Sequence, residues 1–124
     1  MEKNEQLFRR GDVWLFDLST AIGSEQKGLR PCYIVQNDVG NYYAPTVIAI
    51  PMTTATTKRS IPTHLILDKD KAVAAGLRDS SIILCEQIMT LDKRRAKKKY
   101  GRIQSADLRN KIDLAVKLSL GLMD

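Results

Sequence analysis

The chain has 124 residues, 44% hydrophobic and 27% charged, a size and balance that fit one compact domain and exclude a disordered tail or a multidomain assembly. At this length a fold buries about two-thirds of the surface its unfolded form exposes, which excludes the small scaffolds that depend on disulfides or a structural metal. The 20 Lys and Arg outnumber the 14 Asp and Glu, a net charge of +6 that admits a nucleic acid or an acidic partner without choosing between them.

In chain order, the start, MEKNEQLFRRGD, is polar and charged and is expected to fray to about residue 8. It lacks the apolar heart of a signal peptide, and no later stretch approaches the ~20 apolar residues of a membrane span, so a cytoplasmic chain with no membrane partner is expected. Short segments rich in β-branched and aromatic residues then recur at 13–18, 31–37, 46–52, 63–68, 81–91 and 99–103. Trp14, Phe16 and Leu18 alternate along the first and are read as core. Between the segments lie GSEQKG, NDVGN, TTATTKRSIP and AAGLRDS, rich in the residues that turns require, and Asn37 and Asp38 are read as turn formers. The run SIILCEQIMTL is expected to bend at Glu86 and Gln87, where charge interrupts the apolar stripe, which brings the count to six or seven strands. Cys32 and Cys85 stand far apart in apolar runs and read as reduced, buried thiols, while His64 alternates along THLIL as a structural strand residue.

Residues 93–102, KRRAKKKYGR, hold seven basic side chains and no acid, whereas the rest of the chain has 13 basic against 14 acidic residues. Such a run is read as a solvated turn, and at most as a face that steers phosphates. The chain ends in SADLRNKIDLAVKLSLGLM, where Ser105 is an N-cap, Asp107 sits favourably in the first turn, and Leu108, Ile112, Val116 and Leu120 repeat every four residues. With Leu118 and Leu122 added, that stripe is wider than one barrel face needs and hints at a second apolar surface. The expected fold is mainly β with one C-terminal α-helix, a small and strongly bent barrel in one domain over residues 1–124.

The chemistry is first bounded by exclusion. A single histidine rules out a two-imidazole acid/base pair within one subunit, no carboxylate/His set has metal-ligand spacing, and no phosphate-cradling Gly loop or nucleophile elbow occurs. There remain the loop GSEQKGLRP, with Ser24, Glu25, Gln26 and Arg30 within seven positions, and the hydroxyl-rich TTATTK after a strand. An Arg fork, a hydroxyl and a carboxylate suit a phosphodiester that gains negative charge. In RNA the 2′-hydroxyl is a built-in nucleophile, so such a site needs orientation, charge stabilisation and proton transfer but no metal and no cofactor.

The segments RRGDVWLFDLS, GSEQKGLRPCYIVQND, PTVIAIPMTT, PTHLILD and SIILCEQIMTLDKRR, in that order, resemble the MazF/PemK-like toxins of type II toxin–antitoxin systems. The resemblance runs from about residue 9 to the end, and GSEQxGxRP and LCEQIxTLDKxR are its specific blocks. It implies the SH3-like barrel of the MazF/PemK/CcdB-like toxin fold, a homodimer, metal-independent cleavage of single-stranded mRNA at short motifs, and neutralisation by a cognate antitoxin. By position, Arg30 and Thr53 resemble the family's catalytic pair, and Glu25 matches an acidic position linked to activity. Ser24, Gln26, Thr54 and Gln87 look like RNA contacts, with Thr54 able to replace Thr53 and Gln87 either facing RNA or bracing the site. A guanidinium stays protonated, so Arg30 is assigned to grip the phosphate and stabilise the pentavalent transition state, Thr53 to hold a non-bridging oxygen, and Glu25 to accept the 2′-hydroxyl proton. The alternative is a noncatalytic toxin of the same fold that poisons DNA gyrase through a C-terminal Trp-Gly motif; this chain ends Gly121-Leu122-Met123-Asp124 instead. A third reading is a noncatalytic nucleic-acid module that relies on the 93–102 cluster.

Overall fold

The computed structural model describes residues 7–19, 22–23, 25–54 and 61–123. Among these, seven strands pair antiparallel: β1 (Asp12–Asp17), β2 (Leu29–Ile34), β3 (Thr46–Thr54), β4 (His64–Leu67), β5 (Ser81–Leu84), β6 (Met89–Asp92) and β7 (Ala96–Arg102). Their order is β4-β5-β3-β2-β1-β7, with β6 also paired to β3. Helices α1 (Asp38–Tyr43), α2 (Lys69–Ala74) and α3 (Ala106–Ser119) complete the set. No described helix is long and apolar enough to cross a membrane.

The long strand β3 organises the sheet. On one edge it meets β2; on the other, its first half meets β6 (Ala49 opposite Met89) and its last residues meet β5 (Met52 opposite Ile83). Between those two pairs β3 advances three residues and the facing chain six, and the surplus folds into a 3-10 turn, Cys85–Gln87. This is the bend expected at Glu86 and Gln87.

Alternation along the strands buries both faces of the sheet. Val13, Tyr33, Ile50, Met52 and Ile83 pack with Ala72 and Ala75 at α2 and with Ile112 and Ala115 of α3 in one core. Trp14, Phe16, Leu18, Cys32, Ile34, Val47, Ala49 and Leu91 form the second core. Both thiols are free and buried, and loss of hydration pushes each up to about 12, with the Glu86 charge adding to the effect at Cys85.

Four expectations change. Phe8, placed in a frayed start, is 4% exposed and lies 4.3 Å from the Trp14 ring in the second core. The segment read as a turn around Asn37 contains a short helix, and so does the stretch that follows the segment read as a strand at 63–68: the Asn37 side chain accepts from the Gly40 N–H at 2.8 Å, and Asp68 accepts from the Lys71 N–H at 3.0 Å. The basic run is not one solvated turn. Only Lys93–Arg95 turns, the rest is strand β7 paired with β1, and Lys93 itself is buried, 7% exposed, its Nζ donating to the Asn41 carbonyl at 2.5 Å. On α3, Ser105 caps the Leu108 N–H, and Leu108, Ile112, Ala115 and Val116 pack as expected, but the stripe ends there. Leu120 is 54% exposed and, with Leu114, Leu118 and Leu122, supplies the second apolar surface.

Candidate functional site

The site grows from the start of β2 and the end of β3. The β2–β3 ladder pairs Tyr33 with Ile50 and Cys32 with Pro51; Arg30 follows two residues beyond its end on β2, and Thr53 two residues beyond it on β3. Strand alternation places both on the face of the second core, Arg30 following Ile34 and Cys32, and Thr53 following Val47 and Ala49. Thr54 falls on the opposite face, with Ile50 and Met52, and is exposed.

The loop before β2 fixes the guanidinium. The Leu18 N–H donates to the Gly28 carbonyl at 2.8 Å, and Gly28 has φ +76, a left-handed turn suited to glycine, so the chain re-enters the sheet at Leu29. Arg30 Nε then donates to the Lys27 carbonyl at 2.9 Å. The side chain is half-buried, and among the described residues no carboxylate pairs with it. An oriented guanidinium whose Nη groups have no anionic partner is a receptor for an anion.

Gln26 and Gln87 are brought together: the Gln26 N–H donates to Gln87 Oε1 at 3.3 Å, which ties the loop to the 3-10 turn. Glu25 is exposed, and its Oε1 accepts from the Ile22 N–H at 2.7 Å; no hydrogen bond joins it to Arg30 or Thr53 among the described residues. Ser24 and the loop beyond Thr54 lie outside the described residues.

Sequence reasoning missed what anchors the Gln87 turn. Glu86 accepts from Thr63 Oγ1 at 2.9 Å and meets His64 Nε2 at 2.9 Å, and the Cys85 N–H donates to the Thr63 carbonyl at 3.0 Å. Partial burial acts to raise the Glu86 carboxyl, but the His64 and Thr63 hydrogen bonds and its own backbone N–H hold it below the ordinary glutamate value. The signal available in the sequence was a carboxylate next to Gln87 and a lone histidine in a neighbouring strand. Among the described residues no cluster of three or more His, Cys, Asp or Glu groups is placed to hold a metal ion. What the arrangement offers is a cation, a hydroxyl on the same face and amide groups at one end of a sheet, a geometry suited to a phosphodiester.

Comparison with known proteins bears on this geometry. The family model for PemK-like, MazF-like toxins of type II toxin–antitoxin systems matches residues 9–120. Endoribonuclease MazF of Staphylococcus epidermidis is 47% identical over 116 residues, covering 94% of this chain and 93% of that one. A mycobacterial endoribonuclease solved in complex with its cognate antitoxin is 28% identical, with a TM-score of 0.74 over 94% of this chain and 97% of that one. MazF of Deinococcus radiodurans, 20% identical with a TM-score of 0.77 over 94% and 99% of the two chains, shares the fold.

Proposed function

This chain belongs to the PemK-like, MazF-like toxins of type II toxin–antitoxin systems, and from that membership we propose how it cuts RNA. It is an endoribonuclease that cleaves mRNA and is neutralised by a cognate antitoxin. The substrate is single-stranded RNA, cut at short sequence motifs by attack of a 2′-hydroxyl on the adjacent phosphate. Arg30 carries this reading: it is half-buried, oriented through Nε by the Lys27 carbonyl, and on the same face of the sheet as Thr53.

In the reaction the Nη groups of Arg30 bind the non-bridging oxygens and stabilise the charge gained as phosphorus becomes pentavalent. The Thr53 hydroxyl donates to one of those oxygens. Glu25 leaves its loop contact with Ile22 when RNA binds and accepts the 2′-hydroxyl proton. The new bond closes a 2′,3′-cyclic phosphate as the bond to the 5′-oxygen breaks, and the departing oxygen takes a proton from solvent water to become the 5′-hydroxyl, while Glu25 returns its proton to solvent. The nucleophile arrives with the substrate, so no metal or cofactor is needed. Ser24, Gln26 and Gln87 contact the bases and sugars around that phosphate, with Gln87 also bracing the loop through Gln26, whereas Thr54, on the opposite face of the sheet, is not among these contacts. The exposed Leu114, Leu118, Leu120 and Leu122 suit self-association into a homodimer. We place the protein in the cytoplasm with its mRNA substrate.

The test is to incubate purified protein with a long unstructured RNA in EDTA, beside an Arg30→Ala variant, and to map the cut ends. Discrete cuts that leave a cyclic phosphate and a 5′-hydroxyl, absent with the variant, are the expected result. No cutting by folded protein on several RNAs would overturn the reading and favour a toxin that acts by binding a protein such as gyrase.

A further inference from the structure

The cross-strand row that contains Arg30 continues past β2. Arg30 is opposite Phe16 on β1, and Phe16 is opposite Ala96 on β7. At about 4.8 Å per strand, the start of β7 is roughly 10 Å from the Arg30 backbone. The opposite end of the row is apolar, since Thr53 faces Ile82 and Ile82 faces Ile66, which is exposed.

Strand β7 carries three consecutive exposed lysines, Lys97, Lys98 and Lys99. Several neighbouring cations are engaged: Lys99 meets the buried Asp12 carboxylate at 3.6 Å, Arg94 meets Asp92 at 3.0 Å, and Arg95 donates to the Asp17 carbonyl at 3.2 Å. Lys97 and Lys98 have no carboxylate partner among the described residues, and Lys98 rests over the Tyr100 ring at 5.6 Å. Lysine on an outer strand guards against aggregation, but two irregularities in the β1–β7 register already serve that purpose. Successive lysines put positive charge on both sides of the strand, and outside residues 93–102 the chain holds 13 basic against 14 acidic residues.

Resting on the reading of the chain as a ribonuclease, we propose that Lys97 and Lys98 form a second binding site for the RNA backbone, which holds phosphates a few nucleotides from the bond cut at Arg30. An RNA strand gripped at Arg30 leaves along the row, and among the described residues only the β7 end of that row is cationic. The phosphates displace counterions there, so the site acts on long substrates and is sensitive to salt. An acidic protein segment has the same charge but no reason to follow the row from Arg30, and it becomes an outcome of the test.

The experiment compares the full chain with a Lys97→Gln/Lys98→Gln variant. It measures kcat/KM from 50 to 200 mM NaCl on a long single-stranded RNA and on a short oligonucleotide that contains the same cut site with minimal flanks. Each phosphate contact on a single strand contributes about 0.7 to the log–log salt slope, so the variant's slope on long RNA should be shallower by about 1.4 and its deficit should shrink about sevenfold across that range. The short substrate should be cut at the wild-type rate, and Lys97→Arg/Lys98→Arg should keep the wild-type slope. An unchanged slope on long RNA overturns the proposal, as does an equal loss on both substrates or a loss confined to antitoxin affinity. Wild-type protein that cuts neither substrate refutes the ribonuclease reading itself, and this site with it. If the double variant melts early, Lys97→Gln alone should lower the slope by about 0.7.

Discussion

Replacing Arg30 with lysine tests the site most directly, because charge is kept and geometry is lost. In the wild type, Nε is held by the Lys27 carbonyl at 2.9 Å, which leaves the paired Nη groups to meet two phosphate oxygens. A lysine has one ammonium, which either takes the Lys27 carbonyl or reaches the phosphate. One charge-assisted hydrogen bond is worth about 1.5–3 kcal/mol, and about 1.4 kcal/mol is a factor of ten in rate, so cleavage should fall roughly ten- to a hundredfold. Arg30→Ala, which loses the charge as well, should fall further. Stability should change by less than about 1 kcal/mol, since the half-buried side chain makes one hydrogen bond to a carbonyl. The assay is a single-turnover rate on a defined RNA oligonucleotide, with urea melts as the folding control. A lysine variant within threefold of wild type, at unchanged stability, would refute the role given to the fork.

Thr53→Val should slow cleavage by about tenfold through loss of one hydroxyl, whereas Thr54→Val, on the opposite face, should stay within about twofold in the same assay. Gly76→Ala should destabilise the fold by about 2–4 kcal/mol in urea titration, because φ is +94 there and an added Cβ would lie 2.0 Å from the Tyr100 carbonyl oxygen. The carboxyl of Glu86 sits below its ordinary value of 4.5, so the stability it confers is complete above that pH and is lost as pH falls through the lower folded value. Urea melts at neutral pH and at about pH 3.5 should show a smaller acid loss for Glu86→Gln than for wild type, and equal losses would count against the Thr63–Glu86–His64 network.

Where sequence and structure agree, a local signal was sufficient. Helix α3 is long enough for its cap and four-residue spacing to be read, and the Glu86–Gln87 break was visible because polar residues interrupt an apolar run. Helices α1 and α2 have six residues each, too short to be stable alone; Asn37 reads as a turn residue because the same side chains cap helices and make turns, and Asp68 reads as a strand end because it closes an apolar alternating run. The basic run looked like solvent-exposed turn because its charge hides the strand pattern, and its pairing with β1 is a nonlocal fact.

The strand segments outside the basic run, the terminal helix, the apolar faces they bury, the family and the residue types available for chemistry were all legible from the amino acids alone. These follow from periodicity, capping and composition, which act over a few residues. It took the tertiary structure to show that Arg30 and Thr53 share a sheet face that Thr54 does not, that Gln26 meets Gln87, that Glu86 is held by Thr63 and His64, and that Ala96, next to Lys97, ends the row from Arg30. Each of those depends on register between segments distant in the chain, and a one-residue slip would turn every side chain to the other face.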